Sequence, residues 1–109
     1  MTPPSRRQKI EAMLADEPND TFLQYSLALE LEKEGEHEKS LKALRQLMRI
    51  EPPYVPAFFM AAQHLAKASR IAEARDALRE GIEAARQRGD THAAAEMSEF
   101  LASLGNLGE

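Results

Sequence analysis

The residues most able to do chemistry in this chain are its histidines, carboxylates and hydroxyls. His37, His64 and His92 are the only imidazoles. His92 and Glu96 stand four apart, a spacing that places two side chains on one helix face. A zinc site needs three or four convergent ligands, and no third lies near these two in sequence. The expectation is a solvated helix start, with no metal and no cofactor. His64 falls in a mostly apolar stretch and reads as a packed or hydrogen-bonded side chain. Glu30, Glu32, Glu34, Glu36 and Glu38 alternate along the chain, which scatters them around a helix instead of fixing a carboxylate pair for acid–base work. They read as a solvated face, with Glu38 and Lys42 as an ordinary i, i+4 pair worth about 0.2–0.5 kcal/mol. None of Ser5, Ser26, Ser40, Ser69, Ser98 and Ser103 lies in a nucleophile elbow. The glycine-rich phosphate loops are absent as well. The chain is not expected to be an enzyme.

Composition narrows the alternatives. The 109 residues carry a net charge of −4 and no cysteine, so disulfides and thiolate metal sites are excluded. The dense basic cluster Arg6, Arg7 and Lys9 is followed by Glu11, Asp16 and Glu17. A nucleic-acid binder shows a basic face, so no nucleic-acid partner is expected. No apolar run is long enough to span a bilayer, and the start lacks the apolar core of a signal peptide. A cytoplasmic protein without membrane contact is the expectation.

The positioning elements repeat. Pro18 and Pro52 lie 34 residues apart. Ile10, Leu44 and Leu78 keep the same step, as do Leu14, Met48 and Ile82. Phe22, Leu23, Leu27, Ala28 and Leu31 recur at helical spacing until Gly35 interrupts. Leu41, Leu44, Leu47 and Met48 form a second helical run, which Pro52 cannot continue. Phe58, Ala61, Ala62 and Leu65, then Ala74, Leu78, Gly81 and Ile82, repeat the unit. Residues 5–16 form a flanking helix, opened by a Ser5–Gln8 capping box. Asp90 caps a closing helix over 90–104, lined by Met97, Phe100, Leu101 and Leu104, after a short insertion near 87–90. Gly105 and Gly108 are expected to end the order. The reading is one all-α domain over 1–109, about six helices in antiparallel pairs, with repeats at 21–54 and 55–88.

This pattern resembles the tetratricopeptide repeat, W-x₂-L-G-x₂-Y, then A-x₃-F, then P. The first unit places Gln24, Leu27, Ala28, Leu31, Ser40, Leu44 and Pro52 there. The second places Phe58, Ala61, Ala62, Leu65, Ala74, Leu78 and Arg86. Gln24 and Arg86 depart from the pattern. The resemblance implies an α-α superhelix in which the first helix of each pair lines a concave groove. Carried onto this chain, the groove residues are Phe22, Tyr25, Leu29, Glu32 and Lys33, with Pro56, Phe59, Gln63, Ala66 and Lys67. Some family members grip a terminal carboxylate with lysine and asparagine side chains. Tyr25 and Leu29 stand at two of those places, so that clamp is not expected. The implied function is a protein-protein interaction module taking a peptide or protein segment, of unspecified identity, in the groove. Tyr25 and Phe59 are expected to be substantially exposed there. The alternative is a homo-oligomerising scaffold, a homodimer for instance.

Overall fold

The computed structural model describes residues 2–105, so the expectation for Gly108 lies outside the described residues. Among them are six helices: α1 Arg6–Asp16, α2 Thr21–Lys33, α3 His37–Arg49, α4 Val55–Lys67, α5 Ile71–Gln87 and α6 Thr91–Leu104. The expected all-α fold is present, and no strand occurs among the described residues.

Local chemistry starts these helices. The Ser5 hydroxyl accepts from the Gln8 amide at 3.1 Å, and the Gln8 side chain accepts from the Ser5 amide at 2.8 Å. Each bond satisfies a donor the helix would otherwise leave orphaned. Asp20 accepts from the Leu23 amide at 2.9 Å, and Asp90 from the Ala93 amide at 3.0 Å. Gln24 stands where the repeat pattern has an aromatic residue. Its amide donates to the Pro18 carbonyl at 2.7 Å and so ties down the entry loop.

The helix ends follow one scheme three times. Gly35, Ser69 and Gly89 take positive φ of 82°, 63° and 73°. Behind them, Glu36, Arg70 and Asp90 each donate to the carbonyl five residues earlier, on Leu31, Leu65 and Ala85, at 2.8 Å. This is the Schellman closure, which satisfies carbonyls that have no partner in the helix. Gly35 and Ser69 are one repeat apart, so a serine holds a backbone conformation that suits glycine. Helix length follows from the prolines. Pro52 stops α3 at Arg49, whereas Arg86 occupies the matching place in the second unit and lets α5 run on to Gln87.

Packing is between neighbours. Successive helices pack on one another from α1 to α6, and α4 also meets α6. The body is elongated, 51 × 29 × 19 Å. Small residues sit at the crossings: Ala28, Ser40, Ala62 and Ala74 are completely buried. The Ser40 hydroxyl donates to the Ala28 carbonyl at 2.6 Å, so the polar group costs little in the core. Leu44, Leu47, Phe58, Leu65, Leu78 and Met97 fill the space between. Ile10 of α1 is buried, but Met13 is 48% exposed.

Gly81 is the tightest point. A Cβ there would lie 2.5 Å from Phe58 Cβ and 2.6 Å from Met97 Sδ. Helix propensity alone makes glycine to alanine favourable by about 1 kcal/mol. Overpacking costs about 1–3 kcal/mol, and Phe58 Cβ is too close to the backbone to swing away. Gly81→Ala is therefore expected to lower the melting temperature, and a rise would show slack in the α4–α5 crossing. Ser69→Gly is expected to act in the opposite direction, adding about 0.5–2 kcal/mol by relieving the positive-φ strain. Thermal denaturation followed by circular dichroism reads both.

Candidate functional site

The first helices of successive units, α2 and α4, share a face with α6. A cavity of about 200 Å³ opens there, lined by Tyr25, Val55, Pro56, Phe59, Met60, Gln63, Asp90, Ala93, Glu96 and Met97. Four of the groove residues read from sequence, Tyr25, Pro56, Phe59 and Gln63, meet in it.

Both rings are more covered than the sequence reading expected. Tyr25 and Phe59 are half-buried and pack against the core. Tyr25 lies against Tyr54, with ring centroids 5.4 Å apart, and Phe59 against Phe100 of α6 at 5.7 Å. Burial, with a smaller contribution from Tyr54, raises the Tyr25 phenol above its ordinary pKa. The correction has a physical cause. Positions facing away from the partner helix of the same pair still meet the loop of the next unit and the closing helix.

The remaining residues separate. Phe22 is 65% exposed and lies outside the cavity, and Leu29 is half-buried outside it. Lys33 is exposed, 3.6 Å from Glu30. Ala66 is half-buried. Glu32 and Lys67 belong to a second cavity of about 290 Å³ near the hairpin turns, with His37, Glu38, His64 and Arg70.

The cavity residues at and after the α6 N-cap, Asp90, Ala93, Glu96 and Met97, were not among the groove residues read from sequence. The groove positions Phe22 and Pro56, Tyr25 and Phe59, and Leu29 and Gln63 are each one repeat apart. The short insertion breaks that step before α6, whose N-cap Asp90 lies 36 residues after Tyr54, the N-cap of α4.

The alternating glutamates are not simply a solvated face. Glu30 is buried and lies 2.7 Å from Arg6 of α1. Glu34 accepts from Arg7 of α1 at 3.0 Å. Glu38 accepts from Arg70 at 3.0 Å, in the next helix pair, where the sequence spacing pointed to Lys42. Arg70 also holds Glu73 through two bonds of 2.6 and 3.0 Å. That pairing, ahead of the one with Arg45, keeps the Glu73 carboxyl below its ordinary pKa.

Glu32 sits among imidazoles. Its Oε1 lies 2.9 Å from His37 Nδ1 and 3.7 Å from His64 Nδ1. Neither contact has hydrogen-bond geometry, and Glu32 Oε1 and His64 Nδ1 are shielded without hydrogen-bond partners. His64 Nδ1 is therefore packed beside the carboxylate without a hydrogen bond. Burial lowers its pKa most, His37 and Lys67 lower it further, and Glu32 opposes them. His92 Nε2 lies 2.8 Å from Glu96 on the exposed face of α6. Among the described residues, no group of three or more His, Asp or Glu side chains is placed to hold a metal ion. Nor is any helix long and apolar enough to cross a membrane.

No protein-family model matches the chain, and no curated protein matches it. Solved structures do. A tetratricopeptide repeat domain protein from Salinibacter ruber, determined by NMR in solution, is 26% identical, with a TM-score of 0.79 over 84% of this chain and 93% of its own. The fold is tetratricopeptide-like. A second solution structure, of a protein from Bordetella parapertussis, is 27% identical, with a TM-score of 0.78 over 94% of this chain and 90% of its own. Tetratricopeptide-like arrays stack helix pairs into a solenoid whose curvature creates an extended concave binding surface. The cavity between α2, α4 and α6 lies on the face built by alternate helices of this array.

The His64 environment sets a pH dependence. Its folded pKa is lowered, so the unfolded chain binds the proton more readily. The linked stability is fully present above the ordinary histidine value and is lost as pH falls below about 6.5. The melting temperature is expected to drop between pH 7.5 and 5.5 by more in the parent than in His64→Gln. Equal drops would show that His64 burial is not the cause.

Proposed function

We propose that this chain is a non-catalytic protein-binding module that holds an extended or helical segment of another protein across α2, α4 and α6. The observation that carries this reading is the shared cavity. Tyr25 of α2 converges there with Phe59 and Gln63 of α4 and with residues of α6. The rings are held by Tyr54 and Phe100, so a partner meets aromatic surface whose rotamers are already restricted. That lowers the ordering cost of association. Phe22, Leu29, Glu32, Lys33 and Lys67 extend this proposed face beyond the cavity toward the helix ends.

A different variant is needed from the one that sequence alone would choose. Truncating Tyr25 or Phe59 removes packing, and such losses cost about 0.5–3 kcal/mol. Gln63 is exposed and lines the cavity. Gln63→Trp should fill the cavity from its open side, with stability changed by no more than about 0.5 kcal/mol. In affinity capture from the source cell, a photo-crosslinker at position 63 should trap a partner, and Gln63→Trp should fail to retain it. Equal retention of that partner by both forms would reject the groove.

Self-association is the second reading. Met13 and Phe22 are large apolar side chains exposed by 48% and 65%, and exposed apolar surface can mark an interaction site. Light scattering across a concentration series discriminates. A dimer that Met13→Ser with Phe22→Ser converts to monomer would support this reading, and a concentration-independent monomer would remove it.

A further inference from the structure

The charges around the α2–α4–α6 cavity are one-sided. Its walls are apolar: Tyr25, Val55, Phe59, Met60 and Met97 dominate the lining. Its charged residues are Asp90, the N-cap of α6, and Glu96 on α6, both acidic, and no lysine or arginine lines it. The volume of about 200 Å³ falls short of the roughly 300–1,000 Å³ usual for small-molecule sites. It suits a single large side chain carried on a longer segment.

We propose that this cavity receives a partner protein segment in which an aliphatic or aromatic side chain stands beside a lysine or arginine. The proposal rests on the groove reading above and adds the chemistry of the partner. The anchor side chain enters between Tyr25, Phe59 and Met97, while its basic neighbour meets the α6 carboxylates at the rim. Asp90 Oδ1 is engaged by the Ala93 amide at 3.0 Å, which leaves the second oxygen for a cation. The Glu96 side chain is 47% exposed and lies near the exposed His92, a contact that a lysine or arginine can replace. An acidic segment in the same place would put like charges together, which disfavours it. A larger adjoining cavity of about 520 Å³ shares Val55, Pro56 and Asp90, and brings in Glu51 and Arg88. Those two have opposite signs, so the acidic character belongs to the α6 side.

The test uses a panel of equal-length synthetic peptides, each built around one leucine, methionine or phenylalanine. The flanks are lysine or arginine, glutamate or aspartate, or serine. Each is titrated into ¹⁵N-labelled protein. Basic-flanked peptides are expected to shift the amides of Tyr25, Phe59, Ala93 and Glu96. The double variant Asp90→Asn with Glu96→Gln should weaken that binding by about two- to thirtyfold, the range for losing two exposed ion pairs. Asparagine caps a helix about as well as aspartate, so the melting temperature should hold. Unchanged affinity in the double variant overturns the proposal. Acidic-flanked peptides shifting the same amides equally overturn it too, but leave the groove reading standing. If no peptide of any charge shifts these amides, both readings fall.

Discussion

The structure depends on helices approaching closely at a few positions that admit almost no side chain. Ala28, Ser40, Ala62 and Ala74 are fully buried, and Gly81 has no room for a methyl group against Phe58. Close approach lets the larger leucines and Phe58 interdigitate around the crossings, where interiors pack as densely as organic crystals. Ser40 shows how strict the requirement is. A hydroxyl is accepted at a crossing because the Ala28 carbonyl, 2.6 Å away, accepts its hydrogen bond.

Turn chemistry converts these crossings into an array. Each Schellman closure reverses the chain within a few residues and returns the next helix onto the last. Because the same closure recurs at Gly35, Ser69 and Gly89, each helix meets chiefly its sequence neighbours, and the body grows along one axis. The extra length of α5 is the local exception. It arises where arginine replaces the proline that stops α3, and it carries α6 into the position from which Ala93, Glu96 and Met97 reach the cavity.

Electrostatics follows the same neighbour logic. Glu30 and Glu34 face the arginines of α1, and Glu38 and Glu73 share Arg70 across two helix pairs. Exposed pairs of this kind contribute little each, but they occupy charges along the outer surface. The α6 carboxylates stand apart from those networks, at the rim of an apolar cavity. That contrast is what supports the proposed docking of another chain on this face.

Much of this was legible in the residues. The 34-residue step, the Ser5–Gln8 box, the Asp20 and Asp90 caps and the breaks at Gly35 and Pro52 are local signals, and local hydrogen bonding and sterics enforce them. The apolar positions at that step named the core for the same reason, since a repeated helix pair must bury the same stripe each time. Tertiary structure decided the rest. Tyr25 and Phe59 could be placed on a face from periodicity, but the rings that cover them, Tyr54 and Phe100, come from a loop and a later helix. Likewise, Arg70 lies nearer Glu38 than sequence spacing could indicate, and Glu32 meets His64 only because α4 stacks on the first pair. Sequence alone determined the helices, their ends and the faces they bury, because those depend on neighbours a few residues away. Which faces meet, and what remains open between α2, α4 and α6, depends on distances set by stacking whole helices, and those distances exist only in the folded chain.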